Sequence, residues 1–269
     1  MRRLIRDAAF ARTLAALVAL VCLQAFAVHA ADLRETIKRV KPSVVAVGTF
    51  ERTRSPEFEF RGTGFVVGDG NTIVTNAHVL PDSVDATRRE VVAVLVPTLA
   101  AGAANVRSAR VTAIDANADL ALLHVDGDPL PALSLMDSDA VEEGQEVLIT
   151  GFPLGPILGA FATTHRGMVS AIAPIAIPQP RAQGLEANVV SRLKRGAFPV
   201  FQLDATAYPG NSGSPVYDPV SGKVLGIVNM VFVKGTKETA LTKPSGITYA
   251  VPARHLQELL ERDRAGARR

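Results

Sequence analysis

The chain has 269 residues, of which 48% are hydrophobic, 20% charged and 5% aromatic, with no tryptophan and a single cysteine, Cys22. That balance excludes a disordered or collagen-like chain, and the length suffices for a core without disulfide or metal staples. The net charge of +3 resides in the first 30 residues, where Arg2, Arg3, Arg6 and Arg12 face Asp7 alone, so the remainder is neutral and nothing argues for a nucleic-acid partner.

The N-terminus reads as an export signal. A basic segment from Met1 to Arg12 precedes an apolar run from Leu14 to Val28, and Val28-His29-Ala30 before Ala31 marks a cleavage site. The apolar run is 15 residues, short of the ~20 that span a bilayer. The alternative is an uncleaved anchor, and only then would the protein touch a membrane. Cys22 leaves with the signal. Leu20-Val21 before it lacks the small residue that precedes a lipidated cysteine. An exported chain without cysteine fits the bacterial envelope, periplasmic or secreted.

A short helix follows over Asp32–Val40, with Leu33, Ile37 and Val40 on one face and Pro42 beyond it. The chain then reads as strands separated by turn residues. The first set is Ser43–Phe50, Gly64–Val67, Thr72–Thr75, Val91–Val96, Val106–Ile114 and Leu120–Val125, with a tight turn at Gly68-Asp69-Gly70-Asn71. The second set is Glu146–Thr150, Ala162–Ile172, Pro199–Leu203, Ser214–Tyr217, Val224–Val233 and Gly246–Val251. Pro97–Asn105 and Pro174–Phe198 read as loops, the second long and carrying Arg192, Lys194 and Arg195. Pro252–Arg264 closes the chain as a helix with an apolar stripe at Leu256, Leu259 and Leu260. Many short strands in two sets point to an all-β sandwich or barrels.

A serine hydroxyl becomes a nucleophile only beside a base that a third group orients, and acyl transfer also needs backbone amides aimed at the developing oxyanion. Pro209-Gly210-Asn211-Ser212-Gly213-Ser214-Pro215 places a serine in a glycine-rich turn. Taken alone this is a common loop composition. His78 follows a strand in Thr75-Asn76-Ala77-His78-Val79, where a lone histidine is more often structural. Asp119 opens the apolar strand of Ala118-Asp119-Leu120-Ala121-Leu122-Leu123, where its bland reading is a cap. In chain order the three are His, Asp and Ser, spaced by 41 and 93 residues.

With these stretches the sequence resembles the trypsin-fold serine peptidases, most closely the HtrA (Deg-type) branch. Gly62-Thr63-Gly64-Phe65-Val66-Val67, Gly151-Phe152-Pro153-Leu154-Gly155, Asp204-Ala205 and Ile247 to Pro252 also match, and the resemblance runs from about Asp32 to Leu260. It implies two six-stranded antiparallel β-barrels with the site between them. The expected division is a signal at 1–30, an N-terminal barrel at 31–140, a C-terminal barrel at 141–252, and a helix with a tail at 253–269. It implies Ser212 as nucleophile, His78 as base, Asp119 as orienting acid, and the amides of Gly210 and Ser212 as oxyanion hole. No cofactor or metal is implied. His29, His124, His165 and His255 show no ligand spacing. Asn211 stands where zymogen-activated relatives carry an Asp, so an N-terminal ion-pair switch is not expected. The loops around Gly155–Gly167 and Pro174–Phe198 are the expected points of control.

The resemblance also places Thr206 at the floor of the primary specificity pocket and draws its wall from Gly226-Ile227-Val228-Asn229, with Ile227 and Val228 as wall residues. HtrA proteins usually carry PDZ domains after the protease domain, but only about 17 residues follow Pro252, so none is expected here and PDZ-based capture and assembly are not carried over. The functional expectation is a serine endopeptidase of unfolded or damaged envelope polypeptides, with room for a homo-oligomer. The alternative is a protease-fold binding or holdase protein with negligible turnover, and an esterase of the same fold would use the same residues.

Overall fold

The computed structural model describes residues 33–96, 105–153, 161–174, 198–229 and 246–266. The expected export signal, Cys22, most of both expected loops and the end of the expected strand Val224–Val233 lie outside these residues.

Residues 33–40 form a helix, α1, and Lys41–Ser43 continue it as a 3₁₀ turn. Six strands follow: β1 (Val44–Phe50), β2 (Phe58–Val67), β3 (Thr72–Asn76), β4 (Val91–Val96), β5 (Asn105–Asp115) and β6 (Leu120–Val125). They close into a barrel in the order β1-β2-β3-β6-β5-β4. A second set comprises β7 (Glu146–Gly151), β8 (Thr163–Pro174), β9 (Pro199–Asp204), β10 (Pro215–Tyr217), β11 (Val224–Val228) and β12 (Ile247–Pro252). It closes as β10-β11-β12-β9-β8-β7, and every pairing in both barrels is antiparallel. The fold class is therefore the one expected.

The period of two along each strand decides what fills each space. Val45, Val47, Val66, Ile73, Val94 and Leu123 fill the first barrel. Ile149, Val169, Leu203, Leu225 and Val228 fill the second. Their neighbours in sequence, Val44, Leu122, Leu148 and Ile227, face the other way and meet in a shared cluster between the barrels. Each such buried aliphatic side chain stabilises the fold by roughly 1.5–3 kcal/mol. The seam is thus apolar and fixed, which holds loops from both barrels in register with one another.

The C-terminal helix α2 (Ala253–Gly266) leaves β12 and crosses to the first barrel. Leu256 and Leu259 enter the shared cluster, and Arg262 binds Asp115 at the end of β5. A groove of about 860 Å³ lies between α2 and the outer face of β5 and β6, and no residue of the His78, Asp119 and Ser212 set lines it.

Two half-buried histidines give the fold an acid limit. His165 and His255 each carry an Nε2 with no partner among the described residues. Burial lowers both from the ordinary value, and at His255 the charge of Arg254 adds to it. In the folded protein they stay neutral where the unfolded chain takes up protons. Their contribution is complete above the ordinary histidine value of 6.5 and is lost as pH falls below it. The unfolding temperature should fall between pH 7.5 and pH 5.0 in thermal melts followed by circular dichroism. His165→Gln and His255→Gln should each flatten that slope, and an unchanged slope in the double variant would rule the account out.

Candidate active site

The first barrel supplies two of the three expected residues. β3 ends at Asn76, and a 3₁₀ turn over Ala77–Val79 carries His78 out of the sheet. Between β5 and β6, Asp115 accepts the amides of Asn117 (2.9 Å) and Ala118 (3.0 Å), a short Asx-type turn. This leaves Asp119 in the left-handed region at φ +56°, a conformation that Asp and Asn tolerate better than most residues. The Asp119 carbonyl accepts from the Ala77 amide (3.0 Å) and from Asn76 Nδ2 (3.0 Å), so its backbone is tied to the His78 turn.

The side chains complete the link. Asp119 Oδ1 accepts the His78 amide at 3.0 Å, and Oδ2 lies 2.6 Å from His78 Nδ1. Burial would raise the Asp119 pKa, but the bonds from His78 and Asn229 outweigh it and hold the carboxyl below its ordinary range. An ionised carboxylate only accepts, so Nδ1 carries the imidazole proton and Nε2 is left as an acceptor. Nε2 lies 3.0 Å from Ser212 Oγ.

Ser212 comes from the second barrel. The turn before it bonds Asn211 N to Tyr208 O at 2.9 Å, with Pro209 at its second position and Gly210 at φ +104° at its third. That is a type II turn, whose third position favours glycine. A Cβ on Gly210 would also stand 2.4 Å from the Phe152 carbonyl. Thr63 of β2 grips the loop from the other barrel. Its amide donates to the Ser212 carbonyl (2.8 Å), and its hydroxyl donates to the Gly210 carbonyl (2.7 Å) and accepts from Phe152 N (3.1 Å). The amides of Gly210 and Ser212 themselves have no acceptor among the described residues. Ser212 is 6% exposed, whereas the His78 side chain is 31% exposed.

One residue of this constellation was not singled out from the sequence for this role. Asn229, fully buried just after β11, donates from Nδ2 to Asp119 Oδ2 at 2.8 Å. Its own amide donates to the Tyr249 carbonyl at 2.8 Å. The carboxylate thus receives bonds from both barrels. An amide ending an apolar strand has no spacing that announces it.

The remaining expected residues lie as follows. Thr206 is half-buried in the segment before the turn, next to Ala205, whose carbonyl accepts from Thr248 Oγ1 at 2.6 Å. Ile227 and Val228 are both fully buried, Ile227 between the barrels and Val228 within the second. Asn211 is buried with neither side-chain atom partnered among the described residues. Of the expected control loop Gly155–Gly167, residues from Thr163 onward belong to β8 instead, paired with β7.

The trypsin-like peptidase domain family matches residues 62–227. A probable periplasmic serine endoprotease, DegP-like, from Marinomonas sp. (strain MWYL1) is 30% identical over 199 residues, 72% of this chain and 33% of that protein. The mitochondrial serine protease HTRA2 of Bos taurus is 31% identical over 234 residues, 86% of this chain and 43% of that one. The chain therefore spans between a third and a half of these relatives' length. Among solved structures, an HtrA-type protease with a tripeptide is similar in fold, with a TM-score of 0.59, 23% identity, and coverage of 85% of this chain and 62% of that one. With a match over more than half its length and HtrA and DegP proteins among its relatives, the chain belongs to the trypsin-like peptidase family.

Proposed function

We propose that the protein is a serine endopeptidase. Ser212 Oγ attacks the scissile carbonyl while His78 Nε2 takes its proton. The amides of Gly210 and Ser212 receive the oxyanion, His78 protonates the leaving amine, and Asp119 holds the imidazole tautomer and stabilises the imidazolium. Water then enters on the same base and releases the acyl group. The observation that carries this reading is the unbroken chain of contacts from Asp119 through His78 to Ser212, at 2.6 and 3.0 Å, spanning two barrels.

Thr206 as the pocket floor brings no charge, so a substrate Lys or Arg held there would be left unpaired at a cost of several kcal/mol. Ile227 and Val228 are fully buried in the apolar clusters and present no side chain to a substrate, so the selectivity rests on the neutral floor alone. Cleavage after Val, Ala, Ile or Leu follows, with broad selectivity because one methylene changes discrimination by only ~1–3 kcal/mol. Such residues are mostly buried in folded proteins. The substrates are accordingly unfolded or damaged polypeptides, and the relatives' periplasmic naming supports an envelope location.

The test is fluorophosphonate labelling with peptide mapping, followed by a cleavage profile on denatured casein. One adduct on Ser212 is expected in the folded protein and none after heat denaturation. A profile dominated by cuts after Lys or Arg would overturn the pocket, and a folded protein that takes up no label would overturn the hydrolase reading.

A further inference from the structure

We propose that Arg61 is a specificity residue that selects an acidic side chain within the first three residues after the cleaved bond. The proposal rests on the endopeptidase reading and extends it to the leaving-group side of the substrate.

The first observation is a break in register. Between β1 and β2, Val47 stands opposite Gly62 and Gly48 opposite Phe60, so Arg61 has no partner across the ladder. This is a β-bulge, and bulges beside active sites re-aim a side chain away from the sheet's alternation. Here the re-aimed side chain reaches the loop that carries His78. Arg61 Nε donates to the Val79 carbonyl at 2.8 Å and Nη2 to the Leu80 carbonyl at 3.4 Å. The guanidinium is thereby pinned to the two residues that follow the histidine.

The second observation is that this cation has no counter-charge. Among the described residues no carboxylate lies within ion-pair distance of Arg61. Glu59, two positions before it, pairs with Arg54 at 3.1 Å. Asp82, two positions beyond Leu80, makes no ion pair with it. Arg61 is solvent-exposed, and a guanidinium carries five N–H donors, of which two are spent on carbonyls. The others stay available in a fixed fork suited to a carboxylate.

Placement relative to the chemistry supplies the direction. A Cβ on Gly62 would stand 2.7 Å from Val79 Cγ2 and 3.1 Å from the Ser212 carbonyl, so the backbone next to Arg61 is wedged between the His78 loop and the Ser212 loop. In acyl transfer the base that activates the serine later protonates the departing amine. The segment that begins with that amine therefore leaves past His78. Phe60, on the opposite face of the same strand, meets Phe152 edge-on at 6.4 Å beside Gly210. An aromatic wall and a pinned cation then flank the leaving segment. Because the arginine is already held, a carboxylate binds it with little further loss of side-chain freedom.

The test uses quenched fluorescent peptides with one acyl side and Asp, Asn or Lys placed in turn at each of the first three positions after the cut. The wild-type protein should cleave the best Asp peptide about 3- to 10-fold faster than its Asn counterpart in kcat/KM, within the range of a partly exposed charge-assisted pair. That ratio should shrink in 0.5 M salt. Arg61→Gln should bring the ratio to about one, and Arg61→Glu should favour the Lys peptide. Affinities of the same peptides for Ser212→Ala protein, read by fluorescence anisotropy, give an arm independent of turnover. If no peptide is cleaved yet the Asp peptide binds better and loses that advantage with Arg61→Gln, the hydrolase reading fails and the Arg61 site stands. An Asp preference that is absent from wild type, or that survives Arg61→Gln, overturns the Arg61 proposal.

Discussion

Ser212→Ala should lower kcat on casein or an aliphatic peptide by on the order of 10⁶, as removal of the nucleophile does where serine and histidine act as one unit. Losing Oγ removes the only atom that closes the 3.0 Å contact with His78 Nε2. It leaves every other bond of the turn in place, because Thr63 grips the Ser212 carbonyl and not its hydroxyl. The side chain is small and the cavity left behind borders the cleft, so the melting temperature should change little. His78→Ala should cost about as much, and the double variant little more than either alone. A Ser212→Ala protein that cleaves casein at the wild-type rate would sink the assignment of the nucleophile.

The parts of the fold that could be read from the sequence are those where burial follows the strand period. The bounds of β4 and β6 are as expected, because Val91-Val92-Ala93-Val94-Leu95-Val96 and Leu120-Ala121-Leu122-Leu123-His124-Val125 are apolar runs flanked by polar or turn residues. β2 was expected only from Gly64, yet it begins at Phe58. Its first half, Phe58-Glu59-Phe60-Arg61-Gly62, lies at a partly exposed edge with charged residues and a glycine, and the bulge at Arg61 breaks the alternation a reader would follow. Ser43, expected to open β1, instead ends a 3₁₀ turn that begins with Lys41-Pro42. The carboxylate, imidazole and hydroxyl of the site were legible because their chemistry restricts the residue types, and because Gly210 and Gly213 flank the serine. Asn229 and Thr63 were not legible in their roles. Asn229 reaches Asp119 across 110 positions and Thr63 reaches Gly210 across 147, and only the closed topology of both barrels brings those pairs together.

Asp119→Asn should lower kcat about 10⁴-fold while leaving the fold intact. Asp119 sits at φ +56°, and Asn is among the few residues that accept this region, so the substitution adds little strain. The bonds from Asn76 Nδ2 and Ala77 N go to the residue 119 carbonyl, which is unchanged. The side chain is where the loss arises. Oδ2 accepts from both His78 Nδ1 and Asn229 Nδ2, while Oδ1 accepts from the His78 amide. An amide has one acceptor atom and one donor atom. Placed with its NH₂ toward the imidazole, it faces the Asn229 amide donor to donor and forces His78 to accept at Nδ1. The imidazole proton then sits on Nε2, where it cannot take the proton from Ser212. Placed the other way, its NH₂ meets the His78 backbone amide, again donor to donor, and the imidazolium has lost its counter-charge. Neither orientation restores all three bonds. Asn229→Ala removes only one of the donors and should cost less than Asp119→Asn. The measurement is kcat on an aliphatic peptide, with circular dichroism spectra and melting curves for both variants. An Asp119→Asn protein within tenfold of wild type would show that the carboxylate does not set the tautomer of His78.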